Sequence, residues 1–124
     1  MFKVSCIQIC SGKDIKKNLS ISKKLILKAI KKKTDFIITP ETSSLFGLNK
    51  KQLIKTATSM DKDIYLKGIK QISKEYQKWI LTCVVVKEKN KIKNRSVLIN
   101  PKGLIKTYYD KIHMFDVKVS KKEI

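Results

Sequence analysis

Tyr109-Asp110-Lys111-Ile112-His113-Met114-Phe115-Asp116-Val117 is the stretch on which the fold turns: an apolar run ends, and the chain presents a lysine beside two acids and a histidine. The preceding Leu104-Ile105-Lys106-Thr107-Tyr108-Tyr109 reads as a strand, rich in β-branched and aromatic residues. Lys111 then sits at the carboxyl end of a sheet, where open α/β sheets keep their ligands. Far upstream, Phe36-Ile37-Ile38-Thr39 is a second apolar strand, stopped by Pro40 and followed at once by Glu41. If both strands share a parallel sheet their ends lie together, and Glu41 and Lys111 become a base and a cation around one pocket.

Working outward, 124 residues make one domain at most, long enough to bury about two-thirds of the unfolded surface around a single core. The formal net charge of +19 suggests a basic nucleic-acid-binding module, which is the alternative function class. Of the 29 basic residues, however, only Arg95 is an arginine, and recognition of base edges and phosphates favours the guanidinium fork. The charge therefore reads as a solvated lysine surface, with no specific nucleic-acid partner expected. The longest apolar run, Trp79 to Val86, is far shorter than the ~20 residues of a membrane span, and the amino terminus has no signal-peptide pattern. The expected location is cytoplasmic. Cys6, Cys10 and Cys83 are odd in number and lie in or at the ends of strands, so they read as reduced thiols. A zinc site built from Cys6, Cys10 and His113 is not expected, because the ligands are too few and too scattered.

Along the chain, residues 2 to 9 read as a strand. Asp14 opens a helix with Ile15, Leu19, Ile26, Ala29 and Ile30 on one face, and Lys31, Lys32 and Lys33 at its negative end. The strand at Phe36 completes a unit whose crossover favours parallel pairing. Leu45 to Leu48 reads as a loop and Lys50 to Thr58 as a short helix. Asp61 or Asp63 then caps a helix with Tyr65, Ile69, Ile72 and Tyr76 on its apolar face. Gly68 inside that helix costs about 1 kcal/mol against alanine. Trp79 to Val86 reads as a central strand covered on both faces, and Lys87 to Lys93 as a charged turn. Ser96 to Ile99 pairs with Leu104 to Tyr109 across Asn100-Pro101-Lys102-Gly103, whose proline and glycine mark a type I turn.

Several of these pieces together carry a resemblance: Lys3-Val4-Ser5-Cys6-Ile7-Gln8 with Asn18-Leu19, Thr39-Pro40-Glu41, Asn94-Arg95-Ser96 with Pro101-Lys102-Gly103, and above all Tyr109 to Val117. In this order they resemble the amino-terminal half of a nitrilase-superfamily carbon-nitrogen hydrolase, nearest the Nit-type amidases. The resemblance implies an α/β fold: a mixed sheet with helices on one face, half of an α-β-β-α sandwich, with residues 1–124 forming the amino-terminal part of one hydrolase domain and part of the sheet face uncovered.

It also implies that Glu41 is the general base and Lys111 the cation that stabilises the tetrahedral intermediate. A thiol needs a base to become a nucleophile, and the oxyanion formed on an amide needs a preorganised cation. The family's nucleophilic cysteine follows the lysine stretch by some tens of residues, so it is expected outside this chain. Cys83 lies where the family usually has glycine, and reads as a small buried hydrophobe. Lys33 stands where the family commonly has a glycine in left-handed geometry. The implied activity is hydrolysis of a small carboxamide, such as an ω-amide of a dicarboxylic acid, to carboxylate and ammonia through a thioester, without metal or organic cofactor. Nitrile hydrolysis, carbamoyl hydrolysis and acyl transfer stay open within the family. The partner is a small-molecule amide, and the full-length protein is expected to form a homo-oligomer. His113 is expected to orient the loop after Lys111, and Asp110 and Asp116 to hydrogen-bond it or face solvent.

Overall fold

In the computed structural model, residues 1–112 are described; the readings made for His113 and Asp116 lie outside them. The strands β1 (Val4–Cys6), β2 (Phe36–Ile38), β3 (Trp79–Glu88), β4 (Lys91–Ile99) and β5 (Ile105–Asp110) form one sheet in that spatial order. β1, β2 and β3 are parallel, and β4 and β5 run antiparallel to their neighbours. The long connections between the parallel strands carry helix α1 (Ile15–Lys31) and then α2 (Lys50–Thr56) and α3 (Ile64–Tyr76). This is the mixed α/β sheet that the resemblance implied.

The register divides the sheet into two unlike faces. Ile37, Ile80 and Ile99 stand in line across β2, β3 and β4, and all three are buried. They meet Ile26 of α1 and Tyr65, Leu66, Ile69 and Ile72 of α3, with Val84, Val86 and Val97, in one core. On the other face Ile38, Leu81 and Leu98 stand in line and are only half-buried, as are Phe36 and Trp79, while Val4 and Tyr109 are exposed. β3 is thus covered fully on one face only, a correction to its reading as a strand buried on both. An apolar sheet face of this kind normally packs against another layer.

Boundaries differ from the sequence reading where local chemistry prevailed. β1 is shorter than residues 2 to 9, although the Ile7 amide still donates to the Ile38 carbonyl at 2.8 Å. The charged turn expected over Lys87 to Lys93 contracts to Lys89 and Asn90, both with positive φ (49° and 61°). That is the signature of a two-residue type I′ turn, which lets the flanking lysines continue the strands. Asp63, not Asp61, caps α3, accepting from the Leu66 amide at 2.7 Å. Tyr76 closes that helix 38 % exposed, outside the buried face formed by Tyr65, Ile69 and Ile72. Lys33 adopts φ 58°, the left-handed geometry for which glycine is better suited.

Gly68 has a packing reason that propensity does not show. A Cβ there would stand 2.6 and 2.8 Å from the two methyls of Leu19, so glycine lets α3 approach α1. Helix propensity alone favours Gly68→Ala by about 1 kcal/mol, whereas overpacking a core costs roughly 1–3 kcal/mol. Gly68→Ala should therefore lower the urea midpoint, and Leu19→Ala in the same chain should recover part of the loss. An increase in midpoint for Gly68→Ala alone would show that the helices separate freely.

Candidate active site

The site begins where β2 stops. Thr39 donates its amide to the Leu81 carbonyl at 2.9 Å, a last rung of the parallel ladder, and Pro40 has no amide with which to make another. The chain turns away through Glu41 and Thr42, which takes φ 54°. Hydroxyls hold this turn: Ser43 Oγ donates to Thr39 Oγ1 at 3.0 Å or to the Pro40 carbonyl, Ser11 Oγ donates to the Thr42 carbonyl at 2.8 Å, and Ser44 Oγ accepts from the Val85 amide at 2.8 Å. Asn18 ties α1 to the same loop, its Nδ2 donating to the carbonyls of Gly12 (2.8 Å) and Ser44 (2.9 Å) while its Oδ1 accepts from the Gly12 amide. Asn18 is 2 % exposed and Ser43 and Ser44 are fully buried, so Glu41 projects from a braced turn.

β5 delivers the second group. It ends at Asp110, and Lys111 follows at the same sheet edge, with its amide donating to the Asn94 carbonyl at 2.9 Å. Its Nζ lies 2.6 Å from Glu41 Oε1, and the same oxygen accepts from Asn94 Nδ2 at 2.7 Å. Residues 41, 94 and 111, far apart in the chain, thus meet on one carboxylate oxygen. The Lys111 ammonium, helped by Asn94, holds the Glu41 carboxyl below its usual range, against a smaller upward push from burial. Glu41 is therefore ionised at neutral pH and able to accept a proton.

Among the described residues no thiol is hydrogen-bonded to Glu41 or Lys111. Cys6 and Cys10 are exposed, and with β1 ending at Cys6, Cys10 lies beyond the strand. Cys83 is half-buried on the less covered face of β3, its Sγ 3.2 Å from Ser96 Oγ. Burial pushes its pKa up and the negative charge of Glu41 adds to that rise, so Cys83 is held as the thiol, the form that does not attack carbonyls. Among the described residues no group of three or more potential metal ligands comes together.

Asn94 has no role in the sequence reading, although it falls in one of the stretches that carry the resemblance. Its position is legible after the fact: it shares one face of β4 with Ser96 and Leu98 and so points away from the core occupied by Val97 and Ile99. Asp110 has a partner that the sequence reading does not assign. It pairs with Arg95 across the strands at 2.6 Å, and the loop it was expected to hydrogen-bond lies outside the described residues.

Residues 3–123 match the profile of the carbon-nitrogen hydrolase family. The chain belongs to that family. It is 26 % identical over 120 residues to the nitrilase and fragile histidine triad fusion protein NitFhit of Caenorhabditis elegans, a match covering 94 % of this chain and 27 % of that protein. It is 28 % identical over 120 residues to the deaminated glutathione amidase of Yersinia enterocolitica, covering 94 % and 41 %. The crystal structure of C. elegans NitFhit superposes with a TM-score of 0.82 at 25 % identity, over 98 % of this chain and 31 % of that one. An N-terminal amidase shares the fold, with a TM-score of 0.79 at 21 % identity over 93 % and 29 %. The carbon-nitrogen hydrolase chain thus spans between about a quarter and two-fifths of these curated relatives. No helix among the described residues is long and apolar enough to cross a membrane.

The Glu41–Lys111 pair makes a prediction about protonation. Because the folded pKa of Glu41 is depressed, the pair's contribution to stability is present above the ordinary carboxylate pKa and is lost as pH falls through the folded value. Lys111→Met should raise the Glu41 pKa in a ¹³C NMR titration and flatten the acid limb of the stability curve. An unchanged Glu41 titration would mean that the ammonium does not reach it in solution.

Proposed function

We propose that the protein is an amidase that converts a small carboxamide, such as an ω-amide of a dicarboxylic acid, to the carboxylate and ammonia through a cysteine thioester. The observation that carries this reading is the convergence of Lys111 Nζ and Asn94 Nδ2 on one oxygen of Glu41 at the carboxyl edge of the sheet, in a carbon-nitrogen hydrolase chain. Glu41 takes the proton of a thiol, and the thiolate adds to the amide carbon. The resulting oxyanion needs a fixed positive charge, which the Lys111 ammonium supplies. Collapse of the intermediate breaks the C–N bond, with Glu41 returning its proton to the leaving nitrogen. Water then adds to the thioester with Glu41 as base, releasing the acid and regenerating the thiol.

The nucleophile, in this reading, lies outside these 124 residues. None of the three cysteines here has a hydrogen bond to Glu41 or Lys111 in the described structure, and Cys83, the nearest in kind, has its pKa raised. The remainder of the domain would bring the thiol to the Glu41 edge and a second layer to the half-exposed face of Ile38, Leu81 and Leu98. Burial of Glu41 by that layer raises its pKa, making it a stronger base than it is beside open solvent. The full-length protein in this proposal acts in the cytoplasm as a homo-oligomer on a small-molecule substrate, without metal or organic cofactor.

Ammonia release from simple ω-amides is the test. The 124-residue chain should show no turnover, and a version continued through the missing part of the domain should be active. In that active version Glu41→Gln and Lys111→Ala should each lower kcat/KM by at least about 100-fold, the scale on which proton transfer and oxyanion stabilisation contribute. Turnover by the short chain that vanishes with Cys83→Ala would instead identify Cys83 as the nucleophile and overturn the reading.

A further inference from the structure

Arg95, the sole arginine among 29 basic residues, is 4 % exposed and lies on the helix-covered side of β4, next in the chain to Asn94. Every polar group of its guanidinium environment is accounted for. Nε and Nη2 reach the two carboxylate oxygens of Asp110 at 2.6 and 3.0 Å, Nη2 also reaches Glu88 at 2.6 Å, and Nη1 lies 3.6 Å from Met60 Sδ. The Tyr108 ring stacks on it, with the guanidinium carbon 4.1 Å from the ring centroid. Three strands therefore meet on one side chain: Glu88 from the end of β3, Arg95 from β4, and Tyr108 and Asp110 from β5.

The partners of this clamp are the chain neighbours of the candidate active site. Arg95 and Asp110 are direct cross-strand partners. The residues beside them, Asn94 and Lys111, are joined by the backbone bond from Lys111 N to Asn94 O at 2.9 Å, and their side chains converge on Glu41. Because side chains alternate along a strand, a lock on one face sets the register of the groups on the other. β5 is an edge strand of the described sheet, one backbone bond to Asn94 is the only rung beyond its end there, and its ladder to β4 already carries a register shift at Leu98 and Ile99. Such an end needs a fastening if the residue one step beyond it is to hold a fixed position.

Resting on the amidase reading, we infer that Arg95 is a positioning residue: its two-pronged pairing with Asp110 fixes the end of β5 and thereby holds Lys111, and with it Asn94, against Glu41. A lysine in its place would keep the charge and lose the fork, since an ammonium is a point charge that cannot grip two oxygens in one plane. The Asp110 carboxyl is held below its usual range by Arg95 first, which agrees with a pair that is ionised whenever the site works.

The experiment reads the site directly, in the absence of substrate. The sequence has four glutamates, so ¹³C-glutamate labelling with Glu41→Gln as the assignment control isolates the Glu41 carboxyl. Arg95→Lys and Asp110→Asn, both of which keep side-chain bulk, should raise the Glu41 pKa toward the ordinary carboxylate value while the circular dichroism stays native. Glu88→Gln, which loosens only the prong to the half-exposed partner, should leave it nearly in place. In the continued, active protein the same two variants should lower kcat at least about tenfold with little change in KM. A Glu41 pKa unmoved by either Arg95→Lys or Asp110→Asn in a folded protein overturns the inference, whether or not the protein hydrolyses amides. A shifted Glu41 pKa in a protein without amidase activity would leave the clamp standing and refute the proposed function.

Discussion

The missing amide of Pro40 is the constraint on which the site depends. Parallel strands continue as long as each residue can donate to its neighbour, and β2 loses that ability one residue after Thr39 bonds to Leu81. The next residue, Glu41, is consequently the first that the sheet does not hold. It does not become a loose loop acid because the buried hydroxyls of Ser43 and Ser44 and the Asn18 amide satisfy the backbone that the sheet abandons. Unpaired backbone polar groups in such a place are costly, and small side-chain donors and acceptors are the economical remedy. The Ser43-Ser44 pair, silent as a motif, is thus part of what makes Glu41 a positioned group.

The same logic acts on the opposite partner with a different material. Lys111 lies one residue beyond an edge strand, where a single backbone bond to Asn94 continues the ladder among the described residues, and the further fastening there is ionic. Exposed ion pairs contribute little because water competes for both charges. The Arg95 guanidinium is shielded, its fork is satisfied by two carboxylates, and an aromatic ring covers it. Shielding is what turns the pair from a surface contact into a register mark. The carboxylate at position 41 and the ammonium at position 111 are therefore held by unlike devices, a hydroxyl-lined turn and a buried guanidinium.

What was legible in the sequence follows from which interactions are local. The strand before Pro40, the capped helix at Asp14 and the Asn-Pro-Lys-Gly hairpin each announce themselves within a few residues, because proline, N-cap and turn chemistry act over that range. The contact of Glu41 with Lys111 was accessible through one inference more, that parallel strands align their carboxyl ends. Asn94 was not, since its role depends on a register visible only after β4 is laid against β3. Arg95 stands out in the sequence only as a lone arginine among lysines, which bears on nucleic-acid binding. Its meaning lay in the chemistry of a single fork, not in the surface charge.

Gly68 and Lys87 to Lys93 show why the remaining readings failed. Propensity treats Gly68 as a flaw in a helix, yet the methyls of Leu19 occupy the space its side chain would need, so the cost in helix entropy is the condition for close packing of α1 on α3. Charge density treats Lys87 to Lys93 as solvated turn, yet a two-residue connection at Lys89 and Asn90 lets every other residue pair as strand. In a chain with 28 lysines, charge no longer separates strand from loop, because lysine has become the default occupant of any position that reaches water. The discriminating signal is then the spacing of the apolar residues between the lysines. Over residues 92 to 99 even that spacing is ambiguous, because Ile92 and Leu98 share a face with Asn94 while Val97 and Ile99 take the core, so it is the register against β3 that sends Asn94 to the site.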